Sequence, residues 1–140
     1  ALKNIDVLTI NDEEARQLSG EYSLLTAAKK ILRMGPKYLI IKKGEHGAIL
    51  FGEGKKFYTP AVMLKNIVDP TGAGDSFAGG FIGYLAKTKK ISFENMKKAV
   101  VYGSVLASFT VEKLGIESIE KISKEKVNQR LKEIKELISF

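Results

Sequence analysis

The chain has 140 residues, a length typical of one domain covering residues 1–140, and 44% of them are hydrophobic, which is enough to form a buried core. It contains no cysteine and one histidine, which excludes disulfides, thiol catalysis and a histidine-based metal cluster. The formal net charge of +7 raises nucleic acid or an anionic membrane as partners, but the lysines are dispersed, so we interpret them as a solvated surface and expect neither partner.

The predicted elements alternate between strands and helices in the first half of the chain. The predicted strands are Ile5–Ile10, Tyr38–Ile41, Ala48–Phe51 and Lys56–Ala61, the last two forming a hairpin around Gly52–Gly54. One helix begins after Asn11, and the others cover Thr26–Met34, Phe77–Lys87, Phe93–Val111 and Lys124–Ile138. This order predicts an α/β fold with an open, mostly parallel sheet flanked by helices, in which ligands bind beyond the carboxyl ends of the strands.

A small-residue loop between Asp69 and Ser76 is the strongest functional signal in the chain. Its sequence is Asp-Pro-Thr-Gly-Ala-Gly-Asp-Ser, and an apolar helix follows it. Gly72, Ala73 and Gly74 have little or no side chain, so their N–H groups can approach a phosphate closely, and the helix N-terminus adds donors and the positive end of its dipole. We interpret the loop as an anion hole for a phosphoryl group; the alternative is a tight turn.

Asp75 places a carboxylate beside this predicted phosphate site. A carboxylate repels a phosphate unless it has a chemical task, such as accepting the proton of a hydroxyl that attacks phosphorus. We therefore predict that Asp75 is the catalytic base of a kinase. The alternative is that Asp75 is an ordinary N-cap of the helix.

Two polar turns follow predicted strands upstream of the loop. Asn11 follows the first strand, and the acidic residues after it are also what helix capping alone selects. Gly44–Gly47 follows the buried strand and is compatible with a turn that needs no ligand. Because ligands gather at the carboxyl ends of the strands, we expect both turns and the glycine loop to lie at one edge of the sheet.

These three motifs resemble those of the ribokinase-like carbohydrate kinases, also called the PfkB family. Asp69–Gly80 is similar to the anion-hole signature of the family, Asn11–Glu14 to its N-x-x-E motif, and Gly44–Gly47 to its G-x-x-G turn. The resemblance covers nearly the whole chain but only the C-terminal half of the family. We therefore expect the ATP-binding and catalytic half of a ribokinase-like fold, cut from a longer kinase whose N-terminal substrate and lid half is absent here.

The resemblance implies a role in ATP binding for the matching upstream positions. Asn11 and Glu14 would place Mg²⁺ and the phosphates of ATP, with Glu14 acting through water, although Glu13 is a competing carboxylate. Gly44 and Gly47 would let the backbone pass over the nucleotide phosphates. Lys42 stands where relatives often have a hydroxyl residue, and it would either meet a phosphate as a point charge or simply be solvated.

The remaining positions implied by the resemblance lie around the signature and on the helix beyond it. Gly74 would contact ATP as well as forming the anion hole. The adenine contact would fall at Gly103 or Ser104, although close helix packing explains these small residues equally well. Asp69 and Thr71 are candidates for a monovalent cation such as K⁺.

The function expected from these features is transfer of the γ-phosphoryl group of ATP to a hydroxymethyl group of a sugar or nucleoside. The alternative is a nucleotide-binding or oligomerisation module that does not catalyse the reaction, and a nucleic-acid binder would rest on charge alone. We expect the 140 residues alone to be inactive and to self-associate through the open edge of the sheet. The chain carries neither a signal-peptide pattern nor an apolar stretch of membrane-spanning length, so the expected location is cytoplasmic.

Overall fold

A computed structural model describes residues 6–64, 72–112 and 123–140, without the side chains of Val111 and Glu112. The chain divides into two compact units, Ala1–Tyr58 and Thr59–Phe140. The prediction of one domain over residues 1–140 stays a prediction.

The first unit is built around a four-stranded sheet of order β1-β2-β3-β4. The strands are β1 (Val7–Asn11), β2 (Tyr38–Lys42), β3 (Ala48–Gly52) and β4 (Lys55–Thr59), and the helices between β1 and β2 are α1 (Asp12–Ser19) and α2 (Leu24–Arg33). Strands β1 and β2 are parallel, and β2 and β3 are antiparallel. The sheet is therefore mixed in the part of the chain that the structure describes.

The antiparallel pairing of β2 and β3 follows from the short connection between them. Only residues 43–47 separate the two strands, whereas a parallel crossover needs a dozen or more residues. A short 3₁₀ helix at Gly44–His46 fills the connection, and the Lys43 N–H donates to the Gly47 carbonyl oxygen at 2.7 Å. β3 and β4 are joined at Glu53 and Gly54, whose φ angles of 51° and 71° fit a type I′ hairpin turn.

The core of the first unit lies between the sheet and the helices α1 and α2. Ala15 from α1 and Ile31 from α2 pack with Leu39 and Ile41 of β2, and all four are fully buried. Alternation along the strand places Ile40 on the opposite face, where it is also fully buried. β2 is thus buried on both faces, as its continuous apolar sequence indicates.

The second unit contains three helices in its described residues. Its helices are α3 (Ala73–Thr88), α4 (Phe93–Glu112) and α5 (Lys124–Ile138). Val105 and Phe109 of α4 pack with Val127 and Ile134 of α5 to form a core. Helices α3 and α4 meet at glycines: a Cβ on Gly80 would lie only 3.1 Å from the Cα of Gly103, so the two backbones are in direct contact.

The α/β class and the open sheet flanked by helices are confirmed. Two helices begin earlier than predicted: α2 begins at Leu24, because the Ser23 hydroxyl caps it by accepting from the Thr26 N–H, and α3 begins at Ala73 instead of Phe77. Among the described residues, none of the helices has the length and apolar character needed to cross a membrane.

Candidate active site

The N-terminus of α3 contains the glycine loop. Gly72 is the N-cap and adopts the left-handed conformation, with φ of 87°, which a residue with a side chain adopts only at a cost. The first helical hydrogen bond runs from the Ser76 N–H to the Gly72 carbonyl oxygen at 3.0 Å. The N–H groups of Ala73, Gly74 and Asp75 therefore precede the first intrahelical bond, where a helix offers donors to an external group.

Asp75 is the third residue of α3 and is exposed. The N-cap position belongs to Gly72, and among the described residues no side chain accepts a capping hydrogen bond at this helix. The structure therefore removes the interpretation of Asp75 as the N-cap. A carboxylate in the first turn of a helix interacts favourably with the positive end of the helix dipole.

Ser76 at the start of α3 and Thr110 on α4 form a buried pair. The Ser76 and Thr110 hydroxyls lie 2.6 Å apart and are hydrogen-bonded, and both residues are buried. A Cβ on Gly72 would lie 3.6 Å from the Thr110 γ-methyl carbon, so this methyl also packs next to the N-cap. The two residues are 34 positions apart in sequence, so no local pattern signals their pairing.

Asn11 and Glu14 form a capping box at the start of α1. The Glu14 N–H donates to Asn11 Oδ1 at 2.7 Å, and the Asn11 N–H donates to Glu14 Oε1 at 2.9 Å. This reciprocal pair is the capping arrangement that the sequence left open as an alternative. The capping box also distinguishes Glu14 from Glu13, because the Glu14 carboxylate and not that of Glu13 accepts the Asn11 N–H.

Lys42 and Asn11 are brought together in the first unit. They are register partners at the carboxyl ends of β1 and β2, so the N-x-x-E motif and the G-x-x-G turn begin at the same edge of the sheet. Gly44 and Gly47 have φ angles of 57° and 93°, which explains both glycines by backbone conformation alone. His46, to which we assign no role, is exposed at this turn.

Gly103 lies in the contact between α3 and α4. It is buried, and a Cβ there would lie 2.8 Å from the Phe77 carbonyl oxygen. Close packing of the two helices, the alternative to an adenine contact, therefore accounts for this glycine. Ser104 is half-buried, and an adenine contact at Gly103 or Ser104 stays a prediction.

The candidate residues divide between the two units. Asn11, Glu14, Lys42, Gly44 and Gly47 belong to the first unit, and Gly72–Asp75, Gly103 and Ser104 belong to the second. Convergence of all three motifs at one edge stays a prediction. Asp69 and Thr71, the candidates for a monovalent cation, lie outside the described residues. Within the described ranges, no group of three or more His, Cys, Asp or Glu side chains is placed to hold a metal directly.

Comparison with known proteins gives a consistent result. The family model for "pfkB family carbohydrate kinase" matches residues 1–122. A bifunctional ribokinase/ribose-5-phosphate isomerase A from Fructilactobacillus sanfranciscensis is 34% identical over 122 residues, which are 84% of this chain and 22% of that protein.

Two solved structures are similar over most of the chain. The ribokinase from Thermotoga maritima has a TM-score of 0.74 and 35% identity, covering 91% of this chain and 42% of that one. The aminoimidazole riboside kinase from Salmonella enterica, complexed with aminoimidazole riboside and an ATP analogue, has a TM-score of 0.76 and 25% identity, covering 90% of this chain and 42% of that one. The chain thus spans between 22% and 42% of the length of these three proteins.

Proposed function

Because this chain belongs to the pfkB family of carbohydrate kinases, we propose that it carries the nucleotide-binding and catalytic part of an ATP-dependent kinase. The reaction moves the γ-phosphoryl group of ATP to a hydroxymethyl group of a sugar or nucleoside. The observation that carries this proposal is the N-terminus of α3, where a left-handed glycine N-cap leaves three backbone N–H groups ahead of the first helical bond, beside an exposed Asp75.

The N–H groups of Ala73, Gly74 and Asp75 would bind the oxygens of the transferring phosphoryl group. Fixed backbone donors stabilise the charge on these oxygens without reorganising during the reaction. The left-handed Gly72 supports this role, because its backbone conformation begins the helix without a side-chain oxygen that would compete with the phosphate for the donors.

Asp75 would act as the base. In a largely dissociative phosphoryl transfer the base orients the acceptor hydroxyl and takes its proton late, so an ordinary carboxylate is strong enough. Its exposed position in the first turn supports contact with a substrate hydroxyl rather than a structural role.

Asn11, Glu14, Lys42, Gly44 and Gly47 would bind the nucleotide phosphates and Mg²⁺. Glu14 would act through water, because its Oε1 already accepts the Asn11 N–H and Mg²⁺ usually keeps several of its water ligands. Mg²⁺, when bound, would neutralise charge on the phosphates. Gly103 or Ser104 as the adenine contact, and Asp69 and Thr71 as ligands of K⁺, belong to the same proposal.

The length of the chain favours a second candidate function for these residues in isolation. Because the chain spans 42% of the ribokinase and the riboside kinase, the acceptor site would need residues from elsewhere in a longer kinase. In isolation the chain would be a nucleotide-binding module without turnover. ATP binding and phosphoryl transfer are therefore measured separately.

The Asp75→Asn substitution tests the catalytic proposal in the full-length kinase. Asn cannot accept the proton, so we expect kcat to fall by roughly 10²- to 10⁴-fold, the range for a lost general base. ATP affinity should stay the same or rise slightly, because the substitution removes a negative charge next to the triphosphate. Steady-state kinetics and ATP titrations measure the two effects.

Glu125→Gln is the matched control. Glu125 is an exposed carboxylate in the first turn of α5, so its loss removes a similar helix-dipole interaction, worth about 0.3–1 kcal/mol, outside the proposed site. Both variants should melt within a few degrees of the parent. A normal kcat in Asp75→Asn would remove Asp75 from the catalytic residues, whatever the control does.

A further inference from the structure

We propose that Thr110 is a positioning residue for the anion hole: its buried side chain, on α4, holds the first turn of α3 in the geometry that presents the N–H groups to a phosphate. The inference rests on the proposed function of the glycine loop. Thr110 has no contact with the phosphate in this proposal and acts through Ser76 and Gly72.

The hydroxyl of Thr110 holds the first turn by a hydrogen bond. Thr110 is 1% exposed and Ser76 is 8% exposed, and their hydroxyls are 2.6 Å apart. A buried hydroxyl that loses its partner is costly, so each of these two residues keeps the other in place. The Ser76 N–H in turn donates to the Gly72 carbonyl oxygen, which connects Thr110 to the N-cap through one intervening residue.

The methyl group of Thr110 lies beside the same turn. Its carbon is 3.6 Å from the position that a Cβ on Gly72 would occupy. Both branches of the threonine side chain therefore face the start of α3. Serine would keep only the hydrogen bond, and valine would keep only the packing.

The crossing of α3 and α4 makes α4 a rigid support for this turn. Gly80 and Gly103 bring the two backbones into contact, and a Cβ on Gly103 would lie 2.8 Å from the Phe77 carbonyl oxygen. Thr110 follows Gly103 by seven residues, about 10 Å along α4. With the crossing fixed at one point and Thr110 attached at a second, the first turn of α3 cannot rotate freely. Displacements of about 1 Å in a preorganised site are enough to lose much of its effect.

The test compares Thr110→Val with Thr88→Val in this 140-residue chain. Both substitutions replace a threonine hydroxyl with a methyl group. Thr88 lies at the opposite end of α3, where its hydroxyl donates to the Tyr84 carbonyl oxygen and accepts from the Asn95 side chain of α4. The readouts are the backbone amide signals of residues 72–76 by NMR, the affinity for inorganic phosphate and for ATP-Mg, and the melting temperature.

We expect both variants to melt at lower temperature but only Thr110→Val to shift the amide signals of residues 72–76. Only Thr110→Val should weaken phosphate and ATP-Mg binding, by about tenfold. Thr110→Ser, which keeps the hydroxyl, should lose less affinity than Thr110→Val. This order of effects separates positioning from general stability, which both valine variants change.

Two results would overturn the inference. One is unchanged amide signals of residues 72–76 in Thr110→Val, and the other is an equal loss of affinity in Thr88→Val. Failure of the proposed function has a different signature: the parent chain would bind neither phosphate nor ATP-Mg through these N–H groups. In that case the amide signals still decide whether Thr110 positions the turn.

Discussion

At the scale of single residues, Tyr38 gives the first unit a defined response to alkaline pH. Burial, then the hydrogen bond from its hydroxyl to the Glu53 carboxylate and the negative charge of that carboxylate, raise the pKa of Tyr38 from 10.0 to about 12. Between pH 10 and about 12, the folded state therefore keeps the Tyr38 hydroxyl proton, whereas the unfolded state loses it. The free energy of unfolding should therefore fall as pH rises through this window, and the tyrosine contributes no such slope below pH 10.

The Tyr38→Phe variant tests this pH dependence. The substitution removes the ionisable hydroxyl, so the difference in unfolding free energy between parent and variant should be constant below pH 10 and should change between pH 10 and 12 in favour of the variant. Denaturant melts at a series of pH values measure it. Tyr58→Phe, which loses a hydroxyl that donates to the His46 carbonyl oxygen, is the control and should retain this dependence. A parallel pair of pH profiles for parent and Tyr38→Phe would contradict the assignment.

The two interpretations of Asp75 also differ at the scale of a residue. The sequence is compatible with Asp75 as a catalytic base and with Asp75 as an N-cap, because either role favours an acidic residue just before an apolar helix. The structure removes the N-cap role, since α3 begins at Ala73 and Gly72 is its N-cap. Its role as a base stays a prediction.

At the scale of elements, the contact of α3 with α4 depends on the absence of side chains at its centre. A Cβ on Gly103 would lie 2.8 Å from a backbone carbonyl oxygen of Phe77, which cannot move without displacing the helix. Overpacking should cost about 1–3 kcal/mol and helix propensity should offset about 1 kcal/mol of it, so Gly103→Ala should destabilise this chain by up to about 2 kcal/mol.

Gly83→Ala is the matched control for this prediction. Gly83 is an exposed glycine inside α3, and a Cβ there would meet nothing within 4 Å. Gly83→Ala should raise the free energy of unfolding by about 0.5–1 kcal/mol through helix propensity alone. The two substitutions should therefore shift the melting temperature in opposite directions. Equal upward shifts would mean that the two helices are not in backbone contact at Gly103.

The start of α3 illustrates what element prediction misses. Two glycines at positions 72 and 74 lower helix propensity, so the sequence predicts a loop up to Phe77. The helix begins at Ala73, and Ser76 in its first turn is bonded to Thr110 on α4. This long-range contact supplies what local propensity lacks. By contrast, α4 and α5 match their predicted bounds to within one residue, because an apolar pattern and a Ser123 cap at α5 mark them locally.

At the scale of the whole molecule, one face of α3 is apolar and exposed. Its residues are small except for Ile82, which is 62% exposed, and they include Ala78, Gly79, Gly83 and Ala86. An apolar surface of this kind on an isolated chain favours association. We therefore expect this face, as well as the open edge of the sheet, to promote oligomer formation by the 140 residues.

Measurements on the purified chain test both parts of this expectation. Sedimentation should show self-association that Ile82→Lys reduces without lowering the helix content, since the side chain is exposed. The same preparation should bind ATP-Mg and show negligible sugar or nucleoside phosphorylation, because the acceptor hydroxyl must be held near phosphorus in a site that excludes water. Robust steady-state turnover would refute the expectation that the chain alone is inactive.

Local sequence patterns predict the α/β class, the order of the elements and the turns at Gly44–Gly47 and Gly52–Gly54, and short motifs predict the family. Caps, hydrophobic periodicity and motifs of this kind depend on residues close together in the chain. Three features depend on tertiary packing: the pairing of Ser76 with Thr110, the crossing of α3 with α4 at Gly103, and the hydrogen bond of Tyr38 to Glu53. Each of these joins residues 15 or more positions apart, and a contact over that distance is set by how elements pack rather than by any local pattern.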